Sequence, residues 1–298
     1  IHPFCPYTSE HLYQTVFDGK QSILLDKWPQ YQELLVNEEI EESFDIMKDV
    51  VSISSAARMK GKLKRRWPLN EAQICVKKNQ KIKLESLADL LKSQLNVEKF
   101  NIIETEEESG LEQLLELKKL GLPVKATLEL ERKKIGPKVK QHMGKLVSMF
   151  KETNPEEIVL ALQKNGKYDF KIDDEIISLD KEDFIVDFDA NENFAMSKRD
   201  EFVVFISTLR NKEMMAKGLV KDIARRLQTL RKEKGYNPTD VLEVASILEL
   251  DEESLEMIKE RGEELAFLVR VKKVNFEESC KEYKDDDIDG LKIRISVE

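Results

Sequence analysis

The tightest constraint on this fold lies between Ala57 and Val76, where one pattern of apolar residues gives way to another. Up to Lys60 the apolar positions Ile40, Phe44, Met47 and Val51 recur at helical spacing, predicting a helix over 37–60. Glu38, Glu39, Glu41 and Glu42 fall in its first turns and Arg58 and Lys60 in its last, the gradient that complements a helix dipole. Pro68 cannot continue that helix, and Ala72–Val76 is short and apolar, as a strand is. A domain change is therefore expected near residues 66–75. A helical segment, with a first helix at Tyr7–Phe17, should occupy 1–70 and a second domain 71–298.

Beyond Pro68 helices and strands alternate. Helices are predicted at Leu84–Leu95, Gly136–Phe150, Pro155–Gln163, Lys212–Lys234 and Glu252–Leu268, with Gly136-Pro137 and Asn154-Pro155 as entry signals. Strands are predicted at 97–103, 124–130, 168–172, 175–178, 184–188, 201–207, 241–247, 269–276 and 291–297. This order predicts an α+β domain with a mixed sheet rather than a uniform βαβ repeat, with a subdomain break near 120 or 195. One echo is visible: a basic-ended helix, a Pro and a strand occur at Ala57–Val76 and again at Ala224–Val244, too little to define a repeat array.

With 298 residues, 41% of them apolar and 36% charged, the chain can bury a core. The apolar run Phe202–Ile206 is far short of the roughly 18 residues that a membrane-spanning helix needs, and no basic-then-apolar signal opens the sequence. A cytoplasmic protein with no membrane partner is expected. Cys5, Cys75 and Cys280 are far apart and odd in number, which suits buried or incidental thiols better than disulfides. The first residue is Ile1 rather than Met, which reads as a piece of a longer chain.

Catalytic signatures are missing. His2, His11 and His142 form no triad or metal-helix pattern, no phosphate-binding glycine loop is present, and Asp285–Asp287 lacks the glycine turn of a calcium loop and reads as a solvated loop. No metal and no catalytic residue are expected.

Cation patches carry the functional signal. A net charge of -9 argues against indiscriminate binding to a polyanion, yet charges more than about 8 Å apart are mostly screened at physiological salt, so a local patch can still act. Arg58, Lys60, Lys62, Lys64, Arg65 and Arg66 lie beside Trp67 in a stretch without acids, offering phosphate contacts and a stacking surface suited to an unpaired RNA loop. Lys133, Lys134 and Lys138 fall near a helix start, a reasonable anion site. Along the helix from Lys212, Lys221, Arg225, Gln228 and Lys232 share one face while Leu219, Ile223, Leu227 and Leu230 share the opposite one. These fourteen residues are the candidate RNA contacts. The competing reading for each stretch is an ordinary solvated face, and for Trp67 packing at the domain junction.

Several motifs resemble the C-terminal part of isoleucyl-tRNA synthetase of the archaeal and eukaryotic cytosolic type. Pro3-Phe4-Cys5-Pro6-Tyr7 with Glu10 and Tyr13 is similar to the Pro-Phe-x-Pro helix of its anticodon-binding bundle, a motif shared with valyl- and leucyl-tRNA synthetases, and Trp28-Pro29 to the segment behind it. Gly61–Leu69 resembles the stretch that closes the bundle. Ile135–Lys138 and Arg225–Gln228 with Leu230–Lys232, Gly235 and Thr239-Asp240 resemble the junction region that follows. The resemblance implies an anticodon-binding and tRNA-contacting segment whose partners are tRNA, of isoleucine specificity, and the catalytic part of the same polypeptide, with no DNA partner. It implies ATP as a cofactor of the full-length class I ligase and none in this segment, because the His-x-Gly-His signature is absent. Ala195–Arg199 only superficially matches the Lys-Met-Ser-Lys-Ser signature. Such a segment should not activate isoleucine alone. The alternatives are the same region of a valyl-tRNA synthetase, or an interaction scaffold docking other subunits of a multi-synthetase complex.

Overall fold

The computed structural model describes residues 2–17, 21–28, 30, 32–33, 36–107, 109–139, 142–173, 175–277, 280–288 and 290–298. The chain divides into two compact units, Ile1–Glu41 and Glu42–Glu298.

In the first unit, helix α1 (Pro6–Val16) starts on a proline, which fits the first turn because its missing N–H would have no intrahelical partner. The segment after α1 is tied to it by side chains. Tyr13 donates to Asp26 Oδ2 at 2.6 Å, and Glu10 Oε2 accepts from the Ser22 hydroxyl at 3.0 Å and from the Ile23 N–H at 3.1 Å. Helix α2 (Glu38–Lys60) begins at the end of this unit and runs into the second.

The second unit continues with strand β1 (Leu69–Val76), helices α3 (Lys78–Glu85) and α4 (Ala88–Leu95), and strand β2 (Val97–Glu104). A lobe follows, built from α5 (Gly110–Lys119), β3 (Val124–Leu130), α6 (Arg132–Val139), α7 (Met143–Glu152), α8 (Pro155–Asn165), β4 (Lys167–Ile172), β5 (Glu175–Asp180) and β6 (Phe184–Ala190). Strands β7 (Phe194–Arg199) and β8 (Phe202–Ser207) then return to the first sheet, whose order is β2-β1-β8-β7. After them come α9 (Lys212–Glu233), β9 (Leu242–Leu248), α10 (Glu252–Lys259), α11 (Gly262–Val269), β10 (Val271–Asn275), β11 (Lys284–Ile288) and β12 (Leu291–Val297). The second sheet has the order β10-β9-β12-β11.

The two sheets share one topology. In each, a long helix leads into a strand, a helix pair crosses over to a parallel neighbour, and two further strands add antiparallel on the other side. The echo in the sequence is thus the visible end of a duplicated module. Its hallmark is a buried arginine in the last turns of the long helix. Arg58 donates to the carbonyls of Lys64 and Trp67, six and nine residues on, and to those of Leu95 and Asn96 at the end of α4. Arg231 donates to Asn237 and Asp240, again six and nine residues on, and to Val269 and Arg270 at the end of α11. A planar fork with five donors can close both a loop and a helix terminus, where carbonyls lack intrahelical partners. Asn96 and Arg270, with φ of 51° and 57°, end the second helix of each pair in the left-handed conformation.

What distinguishes the modules is the lobe inserted between β2 and β7. Strand β8 is buried along its whole length, with Val204 and Ile206 facing α2, α3 and α4 and Val203 and Phe205 facing the lobe. A strand covered on both faces has no polar alternation, which explains the continuous run Phe202–Ile206. In the second sheet Ile293, Ile295 and Val297 alternate into a core formed with α9, α10 and α11.

Several expectations need correction. The helices expected at 84–95 and 252–268 are each two helices, broken at Ser86–Leu87 and Glu260–Arg261, and α6 and α7 replace the one expected at 136–150. Helix α5 and strands β7 and β11 were not foreseen. Asp285–Asp287 is no solvated loop: it is edge strand β11, with Arg294 against Asp285 at 3.4 Å and Arg226 against Asp286 at 3.4 Å. Pro29, and Lys140, a further cation of the stretch with Lys133, Lys134 and Lys138, lie outside the described residues.

Candidate nucleic-acid interface

The basic stretch after α2 makes a reverse turn because Lys62 adopts φ 53° and the Leu63 N–H returns to the Arg58 carbonyl. That turn sends the following residues onto α9, where Asp222 is fully buried. Lys64 Nζ reaches Asp222 Oδ2 at 2.8 Å, Arg66 Nη2 reaches Oδ1 at 2.8 Å, and the Trp67 indole N–H donates to Oδ2 at 2.8 Å. Burial alone would push the Asp222 carboxyl up, but the hydrogen bonds from Lys64, Trp67 and Arg66 outweigh it and hold it below the usual carboxylate value. The indole also presses on Gly218, and the Arg210 guanidinium stands 4.8 Å from its centroid.

This knot revises part of the expected RNA surface. Arg58 is 4% exposed and spends its donors on carbonyls, so it offers no charge to a phosphate; burial, followed by the nearby cations Arg210 and Arg65, lowers its pKa to about 10. Lys64 and Arg66 share the single carboxylate of Asp222, which leaves the group one net positive charge, and Trp67 spends its indole N–H on the same carboxylate. Lys60, Lys62 and Arg65 are exposed and make no ion pair among the described residues.

The stretch at Lys133, Lys134 and Lys138 belongs to the lobe. Lys138 pairs with Asp180 and with the buried Asp183, which raises its pKa, and Lys134 stands 3.5 Å from Glu182. Only Lys133 of the three is exposed without a carboxylate partner among the described residues. Local carboxylates therefore cancel most of this patch.

Helix α9 behaves as its periodicity predicts. Leu219, Ile223, Leu227 and Leu230 enter the core of the second module, while Arg225, Gln228 and Lys232 are exposed and Lys221 half-buried. Lys221, Arg225 and Lys232 form no ion pair among the described residues. Lys217, one turn before Lys221, bonds Glu98 at 2.8 Å; that bond, and after it the charges of Lys217, Lys92 and Lys221, keep the Glu98 carboxyl below its ordinary pKa. Cations of α4 and α9 thus converge beside the turn that carries Arg65, whose carbonyl accepts from the Asn96 side chain at 3.2 Å. Lys64 and Arg66 of the first stretch are joined to α9 through Asp222, while Lys60 lines a cleft with Lys125 and Asp189 of the lobe.

Three contributors were missed in the sequence. Arg210 precedes α9 with no periodic partner, and Tyr236 and Arg270 come from a loop and a helix end that the Arg231 bonds tie together. Tyr236 and Arg270, with Lys232 and with Gln228, whose amide donates to the Leu268 carbonyl at 2.9 Å, edge a groove at the C-terminal end of α9. Ala195–Arg199 is edge strand β7, with Lys198 on Asp187 and Arg199 on Asp49, a structural role that the resemblance to a nucleotide signature does not touch. Among the described residues no cluster of His, Cys, Asp or Glu could hold a metal ion, and no helix is long and apolar enough to cross a membrane.

Comparison with known proteins agrees with this geometry. Residues 1–74 match the family described as the anticodon-binding domain of tRNA ligase. The chain is 27% identical to an isoleucine–tRNA ligase of Clostridium kluyveri, over 99% of this chain and 27% of the relative. It is 28% identical to that of Pyrococcus furiosus, over 93% of this chain and 24% of the relative, and 25% identical to that of Methanocella arvoryzae, over 100% and 27%. The chain spans about a quarter of the length of these relatives. With an anticodon-binding match at its start, the chain is similar along nearly all of its length to a segment of the isoleucine–tRNA ligases.

Proposed function

We propose that this chain recognises tRNA in its anticodon region, as a segment of a longer isoleucine–tRNA ligase of the cytoplasm that attaches isoleucine with the help of ATP. One observation supports it most: Lys221, Arg225 and Lys232 form a cationic stripe along α9 with no carboxylate partner among the described residues, on the helix that Lys64 and Arg66 grip through Asp222. In the lobe, by contrast, Lys138 and Lys134 are paired with carboxylates. From Lys221 to Lys232 the stripe runs about 16 Å at ~1.5 Å rise per residue, which spans a few phosphates of a strand. Phosphate contacts would set the register, and contacts to unpaired bases the specificity.

Fluorescence anisotropy with isoleucine tRNA and a non-cognate tRNA, at two salt concentrations, tests the reading. Arg65→Glu and Arg225→Glu should each weaken binding and lower the salt slope by about one. Lys145→Glu, which removes an exposed pair with Asp173 in the lobe, should change neither. Equal affinity for both tRNAs, or slopes that the two reversals leave intact, would overturn the proposal.

A further inference from the structure

The groove at the C-terminal end of α9 has no counterpart use in the first module, and the duplication shows how it arose. Both modules place a buried arginine under the loop that follows the long helix, and both turn that loop with a left-handed residue, Lys62 or Gly235. In the first module the residue after the turn is Leu63, 8% exposed, and the loop then plugs into α9 through Lys64, Arg66 and Trp67. In the second, Tyr236 takes the place of Leu63, and Asn237, Pro238 and Thr239 remain exposed. The same scaffold that buries a loop in one copy holds an aromatic ring beside an open groove in the other.

The chemistry of the lining is specific. The groove measures about 520 Å³, within the range of small-molecule sites, and its lining includes Tyr236, Pro238 and Leu268, with Gln228, Lys232 and Arg270. Arg231 also lines it, but its guanidinium is spent on four carbonyls. Lys232 and Arg270 are exposed and make no ion pair among the described residues. Apolar and aromatic surface between two uncompensated cations suits a flat, uncharged ring joined to phosphates on either side.

We infer that this groove takes one unpaired nucleobase of the bound RNA against Tyr236, with its flanking phosphates on Lys232 and Arg270. The inference rests on the tRNA reading above and adds to it a position where a base, rather than the backbone alone, is held. Tyr236 contributes stacking, which every base can offer, so the groove itself prefers a flipped-out base over a paired one.

The test uses the full chain with isoleucine tRNA. Tyr236→Ala should weaken binding by about ten-fold while leaving the salt slope unchanged, and Tyr236→Phe should bind like wild type, because stacking needs the ring and not the hydroxyl. Lys232→Glu and Arg270→Glu should each lower the slope by about one. A tRNA transcript carrying 4-thiouridine, irradiated in the complex, should cross-link to the peptide containing Tyr236. Thermal melts check that each variant folds; if Tyr236→Ala does not, Arg270→Glu and the cross-link decide, since Arg270 is exposed. A wild-type chain that fails to bind tRNA defeats the function reading itself. Wild-type binding with cross-links elsewhere, and unaltered affinity in folded Tyr236→Ala or unaltered slope in Arg270→Glu, defeats the groove while leaving that reading standing.

Discussion

Gly218 and Trp67 are packed so closely that a methyl group on the glycine would stand 2.4 Å from indole Cδ2 and within 2.8 Å of two more ring atoms. A Gly to Ala change inside a helix ordinarily gains about 1 kcal/mol. Here the clash with a rigid ring, itself tied to Asp222, exceeds that gain. Gly218→Ala should therefore destabilise the chain by roughly 1–2 kcal/mol, read as a lower urea midpoint. A midpoint at or above wild type would show that the indole moves aside freely.

Asp222 sets a pH dependence whose sign is fixed by its partners. Its carboxyl titrates below the ordinary value of 3.8 in the folded chain, so the stability it contributes is present above that value and is lost as pH falls through the lowered one. Asp222→Asn should cost about 3 kcal/mol near neutral pH, the lower end for a broken buried pair because Lys64 and Arg66 remain part-exposed and can be rehydrated. Urea melts at a series of pH values should show the gap between wild type and variant closing below roughly pH 4. A gap independent of pH would mean that the charge of Asp222 does not hold the knot.

Arg58 and Arg231 should fail in the same way. Lysine at either position keeps the charge but has no planar fork, so at most some of the four carbonyls stay satisfied. Each Arg to Lys change should cost about 2–3 kcal/mol, one or two buried carbonyls' worth of lost partners. Comparable midpoint losses for Arg58→Lys and Arg231→Lys would follow from the shared architecture. A silent Arg231→Lys beside a severe Arg58→Lys would break the equivalence of the modules.

Thiol reactivity reports on the lobe. Cys75 lies in β1 under the inserted segment, and burial, followed by the charge of Glu116, pushes its pKa up to about 12, whereas Cys5 is exposed. With N-ethylmaleimide at neutral pH, mass spectrometry should find Cys5 modified promptly and Cys75 only in denaturant. Rapid labelling of Cys75 in the native protein would mean that the lobe opens readily from the sheet.

Much of the fold was legible because its signals are local. The apolar stripe of α9 and the alternation in β12 follow from spacing alone, as did the packing face and the exposed cations of α9. What stayed hidden depends on partners distant in sequence. No pattern around Lys64, Arg66 or Trp67 shows that a carboxylate on α9 will claim all three, and nothing near Arg58 announces the carbonyls of Leu95 and Asn96. The break between α3 and α4 is masked because Leu84, Leu87 and Leu90 carry the apolar pattern across it, whereas the one between α10 and α11 falls in the polar stretch Lys259–Glu264. No sequence pattern marks Tyr236 and Arg270, because the groove they line is assembled from different elements.

The inserted lobe leaves the first sheet at one edge strand, β2, and rejoins it at the other, β7, lying across the face between them. In the second module only a short connection joins the corresponding edges, and that face carries Ser246 and Ser296, satisfied by Cys280 and the Glu282 carbonyl instead of an apolar roof. The copies can therefore diverge in bulk without disturbing the seam that fastens them, since Asp222 and the turn it grips lie on neither strap.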